Sequence, residues 1–541
     1  MSLQKEISNA LSYITANGYQ IHPSAFSFLK EIDRNILVII QKVIDIKKEQ
    51  NDTSIIDVND ITRVYTTNED LEIKPRDSNI QIKRIRSIIK MDSEQSKDHV
   101  KDSDENKYFK IIFDSTDYID PDDGIAGYTK LFKSRFIKSL KILSSRPESK
   151  RINKIEYVKK SIRQSNYTNK KSGKYEDKIR ENSHVINSSL IAGLVMAKNS
   201  RKNNLELIID DQTGIINTLA VDKKIISQVS NLTLDQMVMV EIENKGSNYI
   251  IKQVTSPDIP EHIPSRGESE SYVVLISDLH VGSKYFQEIE FLRFLEWLRS
   301  PENEIASKIN YMCIGGDLID GVGIFPNQEK ELLYNNTHFQ ISHLTDLLER
   351  IPENIEVFAI PGNHDPGRRS LPQPAIPKKD SERLYSLKNF TMLGNPSCLE
   401  LEGVKILMYH GQGLDDIIAT IPGLSYSNPA EAMKILLKAR HLSPIYGQRT
   451  PISPEQEDIL VITEVPDILH SGHIHVMDIQ NYRGTLIVNS GAWQNQTPFQ
   501  QTMGIIPTPG IAILVDLATL RPFQINFNQG FSPAEKIEDH R

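Results

Sequence analysis

The sequence predicts an α/β (α+β multidomain) protein: a small helical N-terminal domain, then an OB-fold, then a larger domain of alternating strands and helices. Three observations predict it. The chain has 541 residues, more than one ordinary hydrophobic core accommodates. Five short β segments follow one another between residues 188 and 254. Beyond residue 270, short apolar runs alternate with segments of helical periodicity.

The first 183 residues are predicted to contain three segments of different composition. Residues 1–90 are expected to form the helical domain, because apolar residues in Ser24–Lys48 recur at helical spacing. Residues 91–107 are polar and acidic and are expected to be a flexible linker. Residues 108–183 are a basic connecting region, which is either a solvated, partly disordered face or a contact for a phosphate backbone.

Residues 184–256 are predicted to form the OB-fold, since five strands with one helix-like insert suit that barrel. OB-folds often bind single-stranded nucleic acid by stacking. Tyr249 is the only aromatic residue on the predicted strands, which favours packing against a neighbour instead. The strands are expected at Leu190–Ala197, Leu205–Ile209, Ile215–Val221, Met237–Ile242 and Tyr249–Val254, and the insert at Lys223–Val229.

Residues 257–541 are predicted to form the domain that carries the chemistry. It contains six short polar motifs, and the first five each follow an apolar run, so their side chains are expected where strands end and loops begin. Amphipathic spacing predicts helices at Glu288–Arg299, Asn336–Arg350 and Pro429–Ala439. The motifs are Asp278-Leu279-His280, Gly316-Asp317, Gly362-Asn363-His364-Asp365, Tyr409-His410-Gly411, Gly472-His473-Ile474-His475 and Asn489-Ser490-Gly491.

The residue types in these motifs predict a site for two divalent metal ions. Two ions about 3.5–4 Å apart can hold the attacking and leaving oxygens of a phosphoryl displacement, and they need a bridging carboxylate with His, Asp and Asn ligands. Asp317 is predicted to be the bridge. Asp278, His280 and His475 are expected to bind one ion, and Asn363, His410 and His473 the other.

Two residues next to the predicted ligands are assigned to catalysis. His364 is expected to steady developing charge on the phosphate or to protonate the leaving oxygen. Asp365 is expected to be its carboxylate partner and to fix its tautomer. Arg368 and Arg369 are candidate phosphate contacts, although two adjacent arginines more often form a solvated turn.

The order of the motifs resembles that of the calcineurin-like metallophosphoesterase superfamily, which reads Asp-x-His, Gly-Asp, Gly-Asn-His-Asp/Glu, His and Gly-His-x-His. A narrower resemblance, over residues 185–530, is to the small subunit of the archaeal D-family DNA polymerase. The segments that carry it are Ile276–Ser283, Pro361–Asp365, Leu371–Ala375, Tyr409–Gly411 with Asp415-Asp416, and Asn489–Gln494.

The resemblance implies a four-layer α/β/β/α catalytic domain that acts as a proofreading 3′-to-5′ exonuclease on DNA phosphodiester bonds. It implies two divalent metal ions, with manganese expected and Mg²⁺, Fe²⁺ or Zn²⁺ as alternatives. The implied partners are the large polymerising subunit, docked on the barrel and the outer face of the catalytic domain, and DNA with a single-stranded or mismatched 3′ end. A sliding clamp or another replication factor is the expected partner of the N-terminal domain.

Three other functions are weighed against the exonuclease. A non-catalytic accessory subunit shares the architecture, but its eukaryotic examples have lost the metal ligands, and none is missing here. A protein phosphatase is disfavoured because no arginine follows Asp320 and the third motif ends in Asp365 rather than glutamate. A break-repair nuclease is disfavoured because the motif-bearing half comes second in this chain.

Composition agrees with a soluble globular protein, with 25% charged and 39% hydrophobic residues. Cys313 and Cys398 are predicted to be reduced core thiols, which indicates a reducing, cytoplasmic compartment. Neither a membrane span nor a secretory signal is expected. Because the net charge is −8, any contact with DNA is expected to be local or supplied by a partner.

Overall fold

The computed structural model describes residues 108–161, 188–529 and 535–536, apart from residues 123, 246–247 and 301–302. Among the first 64 residues it describes the helix Ile36–Glu49 and scattered positions. The chain divides into two compact units, Met1–His99 and Val100–Arg541. Across the described ranges, no helix combines the length and apolar character needed to cross a bilayer.

The N-terminal unit is helical where it is described. Helix α1 (Ile36–Glu49) buries Ile40 and Ile44, four residues apart and therefore on one face. The predicted helix Ser24–Lys48 overlaps α1 over its second half. The predicted linker, residues 91–107, lies outside the described residues.

The second unit contains the remaining elements. They are β1 (Phe109–Asp114), α2 (Gly124–Ser144), β2 (Ser188–Arg201), β3 (Asn204–Asp210), β4 (Ile215–Ala220), α3 (Lys223–Ser230), β5 (Met237–Lys245), β6 (Asn248–Thr255), β7 (Tyr272–Ile276), α4 (Glu288–Leu298), β8 (Ile309–Ile314), α5 (Thr337–Leu348), β9 (Glu356–Ala359), β10 (Phe390–Met392), β11 (Ser397–Leu401), β12 (Val404–Met408), α6 (Leu414–Thr420), α7 (Pro429–Ala439), β13 (Ile468–Ser471), β14 (Met477–Tyr482), β15 (Thr485–Ser490), α8 (Pro498–Met503), β16 (Ile511–Asp516), β17 (Arg521–Asn526) and β18 (Glu535–Lys536).

Strands β2 to β6 close into a barrel in the order β2-β3-β4-β6-β5. All neighbours are antiparallel except β4 and β6, which are parallel. Alternate residues such as Val195, Ile209 and Val240 fill the interior, and α3 lies between the third and fourth strands. Strand count, closure and helix position are those of the predicted OB-fold, and all five strands lie where the alternation placed them.

Two mixed sheets form the domain that carries the motifs. One has the order β1-β11-β12-β13-β15-β14 and the other β10-β9-β8-β7-β16-β17-β18. Leu275 of the second sheet shares an apolar cluster with Ile406 and Val488 of the first, so the sheets pack face to face. Val274 on the opposite face contacts the cluster of α4 and α5, and Leu407 that of α6 and α7. The predicted four layers, α/β/β/α, are therefore confirmed.

The region between residues 108 and 161 is part of this architecture. Strand β1 pairs antiparallel with β11, from Phe109 opposite Leu401 to Asp114 opposite Ser397. Helix α2 buries every fourth residue. The prediction of a basic connecting region accounts for the solvated face of this helix but not for its buried face. Its buried residues are Gly127, Leu131, Arg135, Ser139 and Leu143. Residues 108–161 therefore pack with the domains that follow them, and the predicted boundary at residue 183 lies outside the described residues.

A buried arginine of α2 connects the barrel to the domain that carries the motifs. The Arg135 side chain is 1% exposed, and its Nε donates to Asp458 Oδ2 at 2.7 Å. Its Nη1 donates to the carbonyl of Pro444 at 2.5 Å and to that of Asp235, in the barrel, at 3.3 Å. His441 Nε2 lies 3.0 Å from the same carboxylate. Burial, together with the charge of Arg135, lowers the pKa of His441 to about 4, which keeps this imidazole neutral.

Replacing Asp458 with alanine is expected to lower the free energy of unfolding by about 3–5 kcal/mol, because the Arg135 guanidinium would remain buried without its counter-ion. The change is measured as the shift of the denaturation midpoint. Glu457→Ala is the matched control: Glu457 is 67% exposed and pairs with Lys138 of the same helix. That control is expected to cost less than about 1 kcal/mol. Equal shifts of the denaturation midpoint for the two variants would show that the buried Arg135–Asp458 pair contributes no more to stability than the exposed pair.

Candidate metal centre

The predicted motifs converge at one end of the two sheets. β7, β8 and β9 run parallel in one sheet, and β12 and β13 run parallel in the other. One motif follows the end of each of these five strands, as the apolar runs predicted. Since parallel strands end at the same edge, the motif side chains meet there. The side chains that meet are Asp278, His280, Asp317, Asn363, His410, His473 and His475.

Asp278, His280 and His475 form the first cluster. The Nε2 atoms of the two imidazoles lie 3.1 Å apart, and Asp278 Oδ1 lies 3.3 Å from His475 Nε2 and 3.9 Å from His280 Nε2. Asp278 Oδ1 is buried and forms no hydrogen bond. A buried carboxylate oxygen without a partner is costly, and a cation between these three atoms would satisfy it.

Asp317, Asn363, His410 and His473 form the second cluster. His410 Nε2 lies 3.1 Å from Asn363 Oδ1 and 3.4 Å from Asp317 Oδ2, and a ring nitrogen of His473 lies within 4.8 Å of both His410 and Asp317. Asp317 Oδ2 is also 3.6 Å from His280 Nε2, in the first cluster. The Asp317 carboxylate therefore lies between the clusters, in the position that a bridging ligand requires.

The tautomers of the two best-defined histidines suit metal binding. His410 Nδ1 lies 2.9 Å from the carbonyl of Gly315, which can only accept, so this nitrogen carries a proton and Nε2 is the nitrogen that faces the cluster and is free to bind a cation once deprotonated. His280 Nδ1 lies 3.0 Å from Asp320 Oδ1, and its Nε2 likewise faces the cluster. Nitrogen and oxygen donors of this mixture suit Mn²⁺, Fe²⁺ and Zn²⁺. These residues fit two divalent cations.

The backbone at the centre is strained. Five of the seven candidate ligands have left-handed φ angles, a conformation that costs a residue other than glycine roughly 1–2 kcal/mol. The angles are 54° for Asp278, 50° for His280, 50° for Asp317, 70° for His473 and 62° for His475. Strain of this kind is concentrated at functional sites, where surrounding structure holds the side chains in one arrangement.

Binding of a cation at this site is coupled to the release of protons from histidine ligands. Burial lowers the pKa of His410, but Asp317 outweighs it and raises that pKa to about 9. For His280, the carboxylates of Asp320 and Asp317 likewise overcome burial and raise the pKa to about 9. Burial raises the pKa of Asp317, and the neighbouring imidazoles of His410 and His364 hold it well below its ordinary value. A cation that binds must therefore displace protons from His280 and His410 near neutral pH.

The structure places His364 beside the clusters and corrects the role of Asp365. His364 Nδ1 lies 2.8 Å from the carbonyl of Asp320, and its backbone N–H donates to Asp317 Oδ1 at 2.8 Å. The expected Asp365–His364 pair is wrong. Asp365 instead accepts the backbone N–H groups of Gly362, Leu318 and Ile319 at 2.9–3.1 Å, because the chain turns its carboxylate under the loop rather than toward the ring. It is a positioning residue for the loops of Asp317 and Asn363.

Two carboxylates support the ligands and were not predicted to do so. Asp320 contacts His280, and Asp415 Oδ2 lies 3.1 Å from His473 Nε2. Carboxylates orient ligating imidazoles by accepting the proton of the other ring nitrogen. Gln500 Nε2 lies 2.9 Å from His475 Nδ1, but its amide N–H donates, so it orients this ring without holding a proton on Nδ1. Asp320 lies three residues after Asp317, and Asp415 lies five residues after His410, so a second carboxylate just beyond each motif was the available signal. Gln500, 25 residues beyond His475, gave none.

Replacing Asp320 with alanine is expected to weaken metal binding about 10–100-fold, since His280 would lose the carboxylate that fixes its ring. The measurement is calorimetric titration of the metal-free protein with Mn²⁺. Glu329→Ala is the control, because Glu329 is an exposed acid of the same loop. An unchanged affinity for Mn²⁺ in Asp320→Ala would show that the Asp320 carboxylate does not support metal binding.

The two arginines after the His364 motif have different environments. Arg368 donates to Glu455 at 2.6 Å and also to Ser453 and the carbonyl of Pro372, so its guanidinium is used in holding the loop. These contacts disfavour the candidate role of Arg368 as a phosphate contact, which stays a prediction. Arg369 is exposed, with one long contact to the carbonyl of Gly323 at 3.4 Å, and stays a candidate.

Comparisons with known proteins point to one family. A family model for the B subunit of DNA polymerases alpha and epsilon matches residues 273–475. The DNA polymerase II small subunit of Archaeoglobus fulgidus is 40% identical over 351 residues, which cover 64% of this chain and 69% of that protein. Its counterpart from Pyrococcus furiosus is 36% identical over 413 residues, or 74% of this chain, and the chain spans 63% of its length.

A solved structure, that of Vps29 complexed with zinc from Entamoeba histolytica, is 15% identical, with a TM-score of 0.26. The match covers 49% of this chain and 98% of that one.

Proposed function

Because the chain belongs to the family of DNA polymerase II small subunits, we propose that it is the metal-dependent 3′-to-5′ exonuclease subunit of a two-subunit DNA polymerase. Family membership alone would also suit a non-catalytic accessory subunit. The observation that supports catalysis is the convergence of seven candidate ligands into two clusters that share Asp317. A subunit used only as a scaffold has no need of buried, unpartnered acceptors such as Asp278 Oδ1.

The proposed reaction assigns a separate role to the metal ligands and to His364. Two bound divalent ions, which we propose to be manganese, would supply a hydroxide nucleophile and neutralise the phosphate. One ion would be held by Asp278, His280 and His475. The other would be held by Asn363, His410 and His473, and Asp317 would bind both ions.

His364 is the proposed catalytic residue. Its Nδ1–H is committed to the carbonyl of Asp320, so Nε2 is the nitrogen left to contact substrate. Burial lowers the pKa of His364, so Nε2 would have to gain a proton before passing it to the leaving 3′ oxygen or steadying charge on the phosphate oxygens. The hydrogen bond from the His364 N–H to Asp317 fixes this ring next to the shared carboxylate.

The test is cleavage of 5′-labelled DNA by the purified chain in manganese, alone and with the large subunit that we propose as its partner. Substrates are a single strand and a primer–template with a mismatched 3′ end. We expect shortening from the 3′ end, with loss of activity in chelator and recovery on adding Mn²⁺. No cleavage by either sample at saturating manganese would leave the accessory role as the function of this chain.

The N-terminal unit is proposed to be dispensable for this activity. Deleting residues 1–99 is expected to leave the pairing with the large subunit and the mismatch cleavage rate within about twofold of the full chain, because the other compact unit begins at Val100. Deleting residues 1–182 is expected to fail, since it removes β1 from its sheet and Arg135 from Asp458. The measurements are co-purification and cleavage rate. A shorter deletion that folds but does not pair would place the interface in the N-terminal unit.

A further inference from the structure

A strongly basic segment lies outside the metal centre. The whole chain has a net charge of −8, yet residues 130–160 contain eleven Lys or Arg and only two Glu. The segment comprises most of α2 and the turn and short helix that follow it. Such a concentration of positive charge on an acidic protein is an electrostatic footprint for a polyanion.

About half of these cations already have partners. Arg135 is buried against Asp458, Lys138 pairs with Glu457, and Arg146 donates to the carbonyls of Ser256 and Pro257. Lys130 pairs with Asp122, and Lys160 pairs with Glu156. Lys159 donates to the carbonyl of Ile215. The other five are exposed, and none of them forms an ion pair with a residue in the described part of the chain. They are Lys133, Lys141, Lys150, Arg151 and Lys154, which we call the basic face.

The geometry makes the basic face continuous. Lys133 and Lys141 are eight residues apart on α2, or about 12 Å, on the side opposite the buried stripe. Ser149 Oγ donates to the carbonyl of Ser144 at 3.1 Å, which folds the segment of Lys150 and Arg151 back against the end of the helix.

The support of the basic face is rigid and connects to the metal centre. Tyr128 of α2 donates to the carbonyl of Ile452, and Arg135 to Asp458. Arg368, which closes the loop after His364, donates to Glu455 in the same stretch. Helix α2 and the loop of the catalytic histidine therefore pack on one segment of chain, residues 452–458. A polyanion on the basic face would be held at a fixed position relative to the site.

We propose that the basic face binds the phosphate backbone of double-stranded DNA. Binding of single strands without sequence preference depends on bases stacking on aromatic side chains, and Tyr157 is the only exposed aromatic residue in this described segment. A row of flexible cations on a convex helix instead matches the contacts that position a protein on duplex DNA. The assignment of DNA rests on the proposed function, for which this face would hold the duplex behind the 3′ end.

The test compares the full chain with a variant in which all five residues of the basic face are replaced by alanine. The matched control replaces five exposed cations elsewhere in the same unit, Lys202, Lys223, Lys224, Arg299 and Arg521. Affinity for a blunt 20-base-pair DNA and for a single strand is measured by fluorescence anisotropy in chelator, over a series of salt concentrations. Chelator prevents cleavage, so binding is measured without the metal centre.

We expect the basic-face variant to bind the duplex roughly 100-fold less tightly at low salt. The slope of log affinity against log salt should fall by about 0.9 for each phosphate that the variant no longer neutralises. The control should change by less than about threefold, as loss of general attraction alone predicts. Equal loss in both variants, no loss in either, or a loss confined to the single strand would overturn the proposal.

A second measurement separates the two proposals. Hydrolysis of bis(p-nitrophenyl) phosphate by the unsubstituted chain in Mn²⁺ reports on the metal centre without DNA. Duplex binding that depends on the basic face, with no hydrolysis by the chain either alone or with the large subunit, would refute the nuclease and keep the proposal for the basic face. Hydrolysis without duplex binding that depends on the basic face would refute only the proposal that this face binds DNA.

Discussion

Replacing Asp317 with alanine is expected to abolish nuclease activity and to lower the manganese content from two ions per chain to one at most. Asp317 Oδ2 lies 3.4 Å from His410 and 3.6 Å from His280, and so belongs to both clusters. Without its charge, two cations would face each other unshielded. Oδ1 also holds the backbone of His364, so the catalytic ring would lose its anchor as well.

The measurement for Asp317→Ala is metal analysis after equilibration with manganese, together with the rate of 3′-end cleavage. Asp317→Asn keeps the size of the side chain but removes its charge, and it should lose activity too. Asp380→Ala is the control, because Asp380 is an exposed acid of the same domain. A wild-type chain that binds one ion or none at saturating manganese would contradict the two-metal mechanism.

Replacing His364 with alanine is expected to slow DNA cleavage by about 10²–10⁴-fold while the manganese content stays at the wild-type level. In the proposed function the ring contributes a proton or a hydrogen bond to the transition state, and its Nδ1 is engaged by the carbonyl of Asp320. It also lies near Asp317 and His280, close enough to be a third ligand, so metal content and rate must both be measured.

The leaving group distinguishes the two roles left open for His364. p-Nitrophenolate leaves without a proton, whereas the 3′ oxygen of DNA needs one. If His364 acts as the acid, His364→Ala should lose far less activity on bis(p-nitrophenyl) phosphate than on DNA. Equal losses on the two substrates would assign it to the phosphate oxygens. A parallel loss of metal would make His364 a ligand and refute its catalytic role.

Local patterns in the sequence predicted the strands, their ends and the ligand motifs. Short β segments bounded by turn residues located the five barrel strands, and the apolar runs located β7, β8, β9, β12 and β13, because burial on both faces leaves a continuous hydrophobic signal. Helix α7 was predicted with the bounds Pro429–Ala439 that the structure has. The convergence of the motifs followed from the parallel order of the strands.

The features that the sequence did not reveal depend on contacts between distant residues. Arg135 appeared to be one of many solvated cations, and its partner Asp458 is 323 residues away. Strand β1 is half-buried at every position and therefore shows no alternation. Asp365 stood next to His364 in sequence, but adjacent side chains on a turn diverge, and its carboxylate reached backbone N–H groups instead.

The left-handed backbone at five ligands has an evolutionary consequence. Each of these residues destabilises the folded chain by roughly 1–2 kcal/mol at all times, whereas under the proposed function its benefit is felt only while a strand is being trimmed. In a lineage that had no need of trimming, a single change to glycine at any of the five positions would relieve strain and raise stability. Loss of the proposed nuclease would then be favoured rather than merely tolerated.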